Sequence, residues 1–381
     1  MTVPPFLLLA AATAAWIILP LIPALRELFL PTDAEPLNAV GHDAGDLTIF
    51  ADGFREYLSR QLPAAALLAS PGEGATPGDA QALLPAGERQ RALVGTLDDG
   101  TPFVQLADDA AALDEVAHRD GVIPRVVIAA RPLALPGGET FLLELLARDT
   151  LRGGSGAVYR AVLGERDVSL GERSEVLRWI HAAGDLLVGG GSALHGRASA
   201  TGRLLMQPGV TFRRVRAARV VAVDATGGID GAIVDPPIHP PLVGGTVKLP
   251  AGARREPGYT RIAGDLLVPS GGAIVGSLVV HGRLTVGDGA RIGGSVKTHG
   301  DCTLGDDVVI DGSVVSRGAV VTGVRCHVSG SIAAERDVVI GAECWVGGPK
   351  APASVVAESM VLSAGAQVFG AISARKGART R

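Results

Sequence analysis

A chain of 381 residues with 47% hydrophobic side chains has ample material for a buried core, which excludes an intrinsically disordered protein. Glycine is abundant at 52 residues while aromatics make up only 4%, a mix that suits tight turns and thin aliphatic layers better than one large globular core. The formal charge of −4 and the pI near 6.1 provide no basic field for a phosphate backbone, and no stacking aromatics alternate with the arginines, so nucleic acid is not an expected partner.

Residues 6–25, FLLLAAATAAWIILPLIPAL, run without a charge for about 20 positions, enough to cross a hydrocarbon core as a helix. Residues 1–30 are therefore expected to form a single-pass membrane anchor, with Pro20 and Pro23 kinking or ending the helix in its second half. A cleaved signal peptide is the competing reading, yet no Lys or Arg precedes the apolar run. Arg26 follows directly, with Arg55 and Arg60 beyond it, which favours a cytoplasmic body. Cys302, Cys326 and Cys344 point the same way: an odd number of thiols is not a disulfide framework.

Residues 31–124 are rich in Ala, Pro, Asp and Gly and suggest a small α-rich or irregular juxtamembrane module. One amphipathic helix is expected over Phe50–Leu62, where Phe54, Tyr57, Leu58 and Gln61 follow helical spacing, and a second over Asp108–His118. From Arg125 aliphatic and β-branched residues return, and a six-residue rhythm becomes visible near Arg166. Residues 125–225 are assigned to a first, degenerate β-helix array, clearest over 160–213. A Pro-rich insert follows at 226–257. Its PPIHPP run is a semi-rigid connector, the alternative being a polyproline recognition element. A second, regular array occupies 258–381 and ends in a polar tail.

Cut into sixes from Gly264, the chain gives GDLLVP, SGGAIV, GSLVVH, GRLTVG and so on without insertion through Gly347. Third and fifth places are small or aliphatic, as in short strands with one inward face, and glycine near each hexad boundary supplies the corners. A longer period sets the number of sides. Ile274, Ile292, Ile310, Val328 and Val346 stand 18 apart, so three hexads close one coil of a triangular parallel β-helix. Stacking then builds columns such as Leu278, Val296, Val314 and Ile332, or Ala290, Val308, Cys326 and Cys344. GDLLVGGGSALHGRASATGRL at 184–204 aligns with GDLLVPSGGAIVGSLVVHGRL at 264–284, indicating an internal duplication. Because the 80-residue shift is not a multiple of six, one solenoid with a bulged insert and two stacked solenoids are both compatible with it.

Aliphatic-Gly hexads such as Ile292-Gly293 and Leu304-Gly305 also occur in left-handed β-helix acyltransferases, the main enzymatic alternative. A general base would then come from His281 or His299, which should stack on one corner with Arg317 and Glu335 above them. The same column reads more simply as a solvated corner carrying an ion pair. His327 should face outward beside Trp345 and is given no role. His181 and the Arg-rich FRRVRAAR at 212–219 depart from the inward pattern and mark an irregular end or a docking surface. With no CxxC pair, and with His327 pointing away from Cys326, no metal ligands are assigned. Catalytic and cofactor-binding residues are likewise assigned none.

The uninterrupted Gly-Ser-aliphatic ladder and the closing AGAQVFGAISARKG make residues 264–375, and more weakly 160–213, resemble the bactofilins, the bacterial polymer-forming cytoskeletal proteins. That resemblance implies a right-handed triangular β-helix without enzymatic activity or cofactor, joined to other copies at the inner face of the bacterial inner membrane. It further implies a scaffold for cell-envelope synthesis proteins. An open β-helix end needs a cover, and the apolar segment around Val368, Phe369 and Ile372 is expected to be the self-association surface.

Overall fold

The computed structural model describes residues 48–62, 81–83, 92–106, 110, 113, 120–225 and 233–381. The expected anchor, most of the second expected helix and the start of the Pro-rich insert lie outside these residues. Among them, no helix is long and apolar enough to cross a membrane.

The protein is mainly β, a solenoid of about 14 turns with one short helix among the described residues. In the second array the 18-residue register holds: Ile274 pairs with Ile292, Ile292 with Ile310, Ile310 with Val328 and Val328 with Val346, all in parallel. A second face stacks Leu278, Val296, Val314 and Ile332, and a third stacks Leu284, Cys302, Val320 and Val338. These residues are no more than 4% exposed, so the third and fifth hexad positions do form the interior. The three cysteines belong to that interior, and burial pushes the Cys302 thiol up to about 12.

The hexad corners have their own chemistry. Each strand end must satisfy the backbone of the next coil, and a short polar side chain in the second hexad position does so. Ser277, Ser295 and Ser313 accept in turn from the N–H groups of Ser295, Ser313 and Ser331, each at 3.1 Å. On other corners Asp265 accepts from Arg283 N at 2.7 Å and Asp301 from Ala319 N at 2.9 Å. The preceding glycine lies so close to the corner below that a Cβ on Gly294 would stand 2.6 Å from Gly276 C.

The first array has the same three sides but a looser period. Leu145 pairs with Val162 after 17 residues, Val162 with Ile180 after 18, and Leu204 with Val220 after 16. These losses break the six-residue rhythm. Coils begin earlier than the rhythm suggests, since Phe103–Leu106 already pairs in parallel with Val126–Ala129.

The expected α-rich or irregular module is largely β where it is described. Its helix α1 is present, at Ile49–Gln61, with Phe54 and Leu58 against Phe103, Ile128 and Trp179 on the outside of the solenoid. Most of the rest of its described part is β: Ala92–Thr96 and Pro102–Leu106 form an antiparallel hairpin leading into the first coils. Asp99-Gly100 between two apolar runs was the available signal, and Gly100 has the positive φ of +86° such a turn requires.

The two arrays meet end to end with their directions opposed. Strand Thr211–Ala222, the last coil of the first array, pairs antiparallel with Gln367–Thr380, the last coil of the second. Val215 faces Ile372 at the centre, while Phe212 faces Ala378 and Val220 faces Val368 on the flanks. Face order is thus reversed between the halves, as at a twofold joint. The seam is closed at both margins: Ala222 N donates to Ala366 O at 3.0 Å, and Thr380 N to Val210 O at 3.0 Å.

Opposed directions oblige the chain to travel the length of the second array before starting it. The Pro-rich insert does this as a strap along one outer face. Trp345 Nε1 donates to Val234 O at 3.1 Å, the His239 ring lies 5.3 Å from that of His327, and Thr246 N donates to Ala273 O at 2.8 Å. Val247, Leu249 and Ala253 then pack against the core at the far end.

Candidate functional site

The end expected to receive a second copy is not open. Val368, Phe369 and Ile372 are at most 2% exposed and are covered by the first array of the same chain, because the unpaired edge of the last coil has found its partner intramolecularly. Arg219 stands over the Phe369 ring, its guanidinium carbon 4.6 Å from the centroid.

What the seam exposes instead is charge. Arg213 and Arg214, from the motif singled out in the sequence, lie at a corner of the first array with their side chains in solvent. Antiparallel pairing sets Arg375 and Lys376, from a distant part of the chain, against them. Glu358 accepts from both Arg375 and Lys376 at 2.9 Å, and the Lys376 hydrogen bond first, then the two cations' charge, holds its carboxyl below the usual range. Among the described residues no carboxylate pairs with Arg213 or Arg214. Beside this corner a cleft of about 530 Å³ crosses the seam, lined by His195, Arg213, Lys376 and Arg379 and floored by the strand backbone of Leu194, Phe212, Met360 and Ala378, whose side chains belong to the buried core. Sequence reasoning found one half of this cluster and missed the other, since nothing local to 375–381 reports its partner.

The His281 and His299 rings do stack on one corner, with centroids 4.5 Å apart. Arg261 Nε donates to His281 Nε2 at 2.9 Å, so the nitrogen a general base would use is already accepting a hydrogen bond. Burial, then Arg261, Arg317 and Lys297, lowers the His281 pKa. His181 is buried beside the helix-covered face and bonded through Nδ1 to Ser199 Oγ at 2.9 Å. No group of three or more His, Cys, Asp or Glu side chains able to hold a metal occurs among the described residues.

His327 faces outward next to Trp345 as expected, but the strap buries it. His239 Nε2 and His327 Nδ1 are both buried without a hydrogen-bond partner. Desolvation lowers both pKa values, with Arg291 adding for His239 and His239 adding for His327, while Asp311 opposes. Each folded-state pKa therefore lies below the ordinary 6.5, so strap stability is complete above that pH and declines as pH falls beneath it. Hydrogen exchange at residues 234–247 should accelerate relative to the solenoid as pH drops from neutral into that window. His239→Phe should flatten the dependence, and a strap equally protected throughout would show that these histidines do not hold it.

No family model, curated protein or solved structure matches this chain.

Proposed function

We propose that this chain is a membrane-tethered structural scaffold of the bactofilin kind, carrying cell-envelope partners on a rigid rod and joining other copies through its far tip. The supporting observation is the continuous backbone pairing through both arrays and across the seam. About 14 turns spaced about 4.8 Å apart give a rod of roughly 65 Å. Such an object resists bending because its hydrogen bonds run along the axis, and its outer corners are laid out as regular ladders on which partners could dock.

With the seam occupied, self-association moves to the other end of the second array. Leu266–Val268 is paired on one edge only among the described residues, and Leu267 is 69% exposed. A second copy adding a strand there would satisfy the free edge and cover the leucine. The detergent-solubilised full chain should therefore be larger than a monomer at tens of micromolar by light scattering, and Leu267→Lys should reduce its mass with unchanged circular dichroism. A monomeric wild-type chain would remove self-association from the proposal. Carbonate extraction tests the tether, because an inserted residue 6–25 helix resists it. Acyl-CoA binding would favour the transferase alternative over the scaffold.

A further inference from the structure

We infer that the basic corner of the seam is a docking surface for an anionic lipid bilayer. The placement is a product of the fold. In a chain of net charge −4, Arg213, Arg214, Arg375 and Lys376 converge on one corner through the antiparallel seam, with Arg379 at the cleft beside it. Arg178 and Arg197 continue the same edge in the coils of the first array, and Arg317 and Arg336 continue it in the second. The carboxylates along it are engaged, Glu358 with Arg375 and Lys376, Glu144 with Arg160 and Arg178, Asp301 with Arg336 and Glu175 with His195, whereas Arg213 and Arg214 have no carboxylate partner among the described residues.

Charge alone would suit any polyanion. Three further observations point to a bilayer. The cleft across the seam gathers Arg213, Lys376 and Arg379 into a cationic cradle of about 530 Å³, which suits a phospholipid headgroup. Leu177, 46% exposed, sits beside Arg178 on this edge, and Phe50, 42% exposed, lies under Arg197, whose guanidinium carbon is 4.9 Å from the ring centroid. Exposed leucine and phenylalanine among arginines are the combination that an interfacial surface presents to anionic lipid. Finally, Thr48 shares a cleft with Arg216 and Gly370 at the seam, on the face next to the basic corner, so the tether proposed above joins the described chain beside it. Between Leu25 and Thr48 the chain reaches at most roughly 80 Å, and drawing the seam onto the membrane requires only part of that.

The inference rests on the tether reading for its geometry, but the two separate in one experiment. Single cysteines replace Leu177 on the basic edge and Ile238 on the strap, which is 98% exposed on the opposite side. The native thiols are buried and stay unlabelled. The full chain, labelled with a fluorophore, is reconstituted into vesicles carrying a lipid-borne quencher, made either of phosphatidylcholine or of phosphatidylcholine with phosphatidylserine. The label at 177 should be quenched in anionic vesicles roughly fivefold more than in zwitterionic ones. High salt, or the triple variant Arg213→Glu, Arg214→Glu, Lys376→Glu, should abolish the difference. The label at 238 should remain bright throughout, and circular dichroism of the triple variant should match the parent.

Protein that stays with vesicles after carbonate while label 177 is unquenched would overturn the docking surface and leave the tether standing. Release by high salt, with quenching before it, would support the docking surface and remove the tether. Equal quenching at 177 and 238 overturns the inference, and so does soluble polyphosphate raising the melting temperature without any quenching on anionic vesicles.

Discussion

Ile310→Asp should unfold the second array or come close to it. Ile310 is 0% exposed and sits between Ile292 and Val328 in a wholly aliphatic column. A carboxylate there must either stay ionised without a partner or take up a proton, and it also removes aliphatic packing from two neighbouring coils. Together these effects are expected to cost roughly 4–6 kcal/mol. The proper control is an outward residue of the same ladder type that nothing covers. Val309 is adjacent in sequence but lies on the face crossed by the strap, whereas Val321 is 39% exposed beside the inward Val320. Val321→Asp should change stability by no more than about 0.5 kcal/mol. Equal denaturation midpoints for the two variants would mean that the inward and outward faces have been exchanged.

A second large effect is expected at the seam. From the sequence, Phe369→Arg would be chosen to break an association between copies and leave the fold alone. Its buried position gives a different outcome. Replacing a side chain 2% exposed places a second guanidinium beside Arg219, which already covers the ring. Loss of the aromatic, with a like charge in its place, should destabilise the molecule by roughly 3–5 kcal/mol. The damage should be directional. Amide exchange should rise first at Thr380 and Ala222, whose N–H groups close the two margins of the seam, and a single melting transition should separate into two as the arrays lose their coupling. An unchanged melting curve with a halved particle mass would instead place Phe369 between chains and contradict the intramolecular seam.

Much of the second array was legible because its coils are equal in length. When each turn takes 18 residues, Ile274, Ile292, Ile310, Val328 and Val346 must lie over one another, and the alternation within each hexad says which side faces inward. The first array hid its early coils because turns of 16 and 17 residues, such as Leu204 to Val220 and Leu145 to Val162, shift the phase that a fixed period depends on. Helix α1 was visible through the spacing of Phe54 and Leu58, and the hairpin after it was missed although Asp99-Gly100 announced it.

By itself, then, the sequence determined what is local and periodic: the coil, its three sides, its inward columns and the duplication of Leu186–Val188 in Leu266–Val268. Only the tertiary structure decided the direction in which the second array runs. That choice depends on the unpaired backbone edges of two distant coils, which carry no local signature and gain their hydrogen bonds only when Thr211–Ala222 and Gln367–Thr380 come together antiparallel. Everything specific to the surface follows from that pairing, because it buries Phe369, turns the Pro-rich insert into a strap over His327, and gathers Arg213, Arg214, Arg375 and Lys376 from two arginine-rich segments that the chain itself keeps far apart.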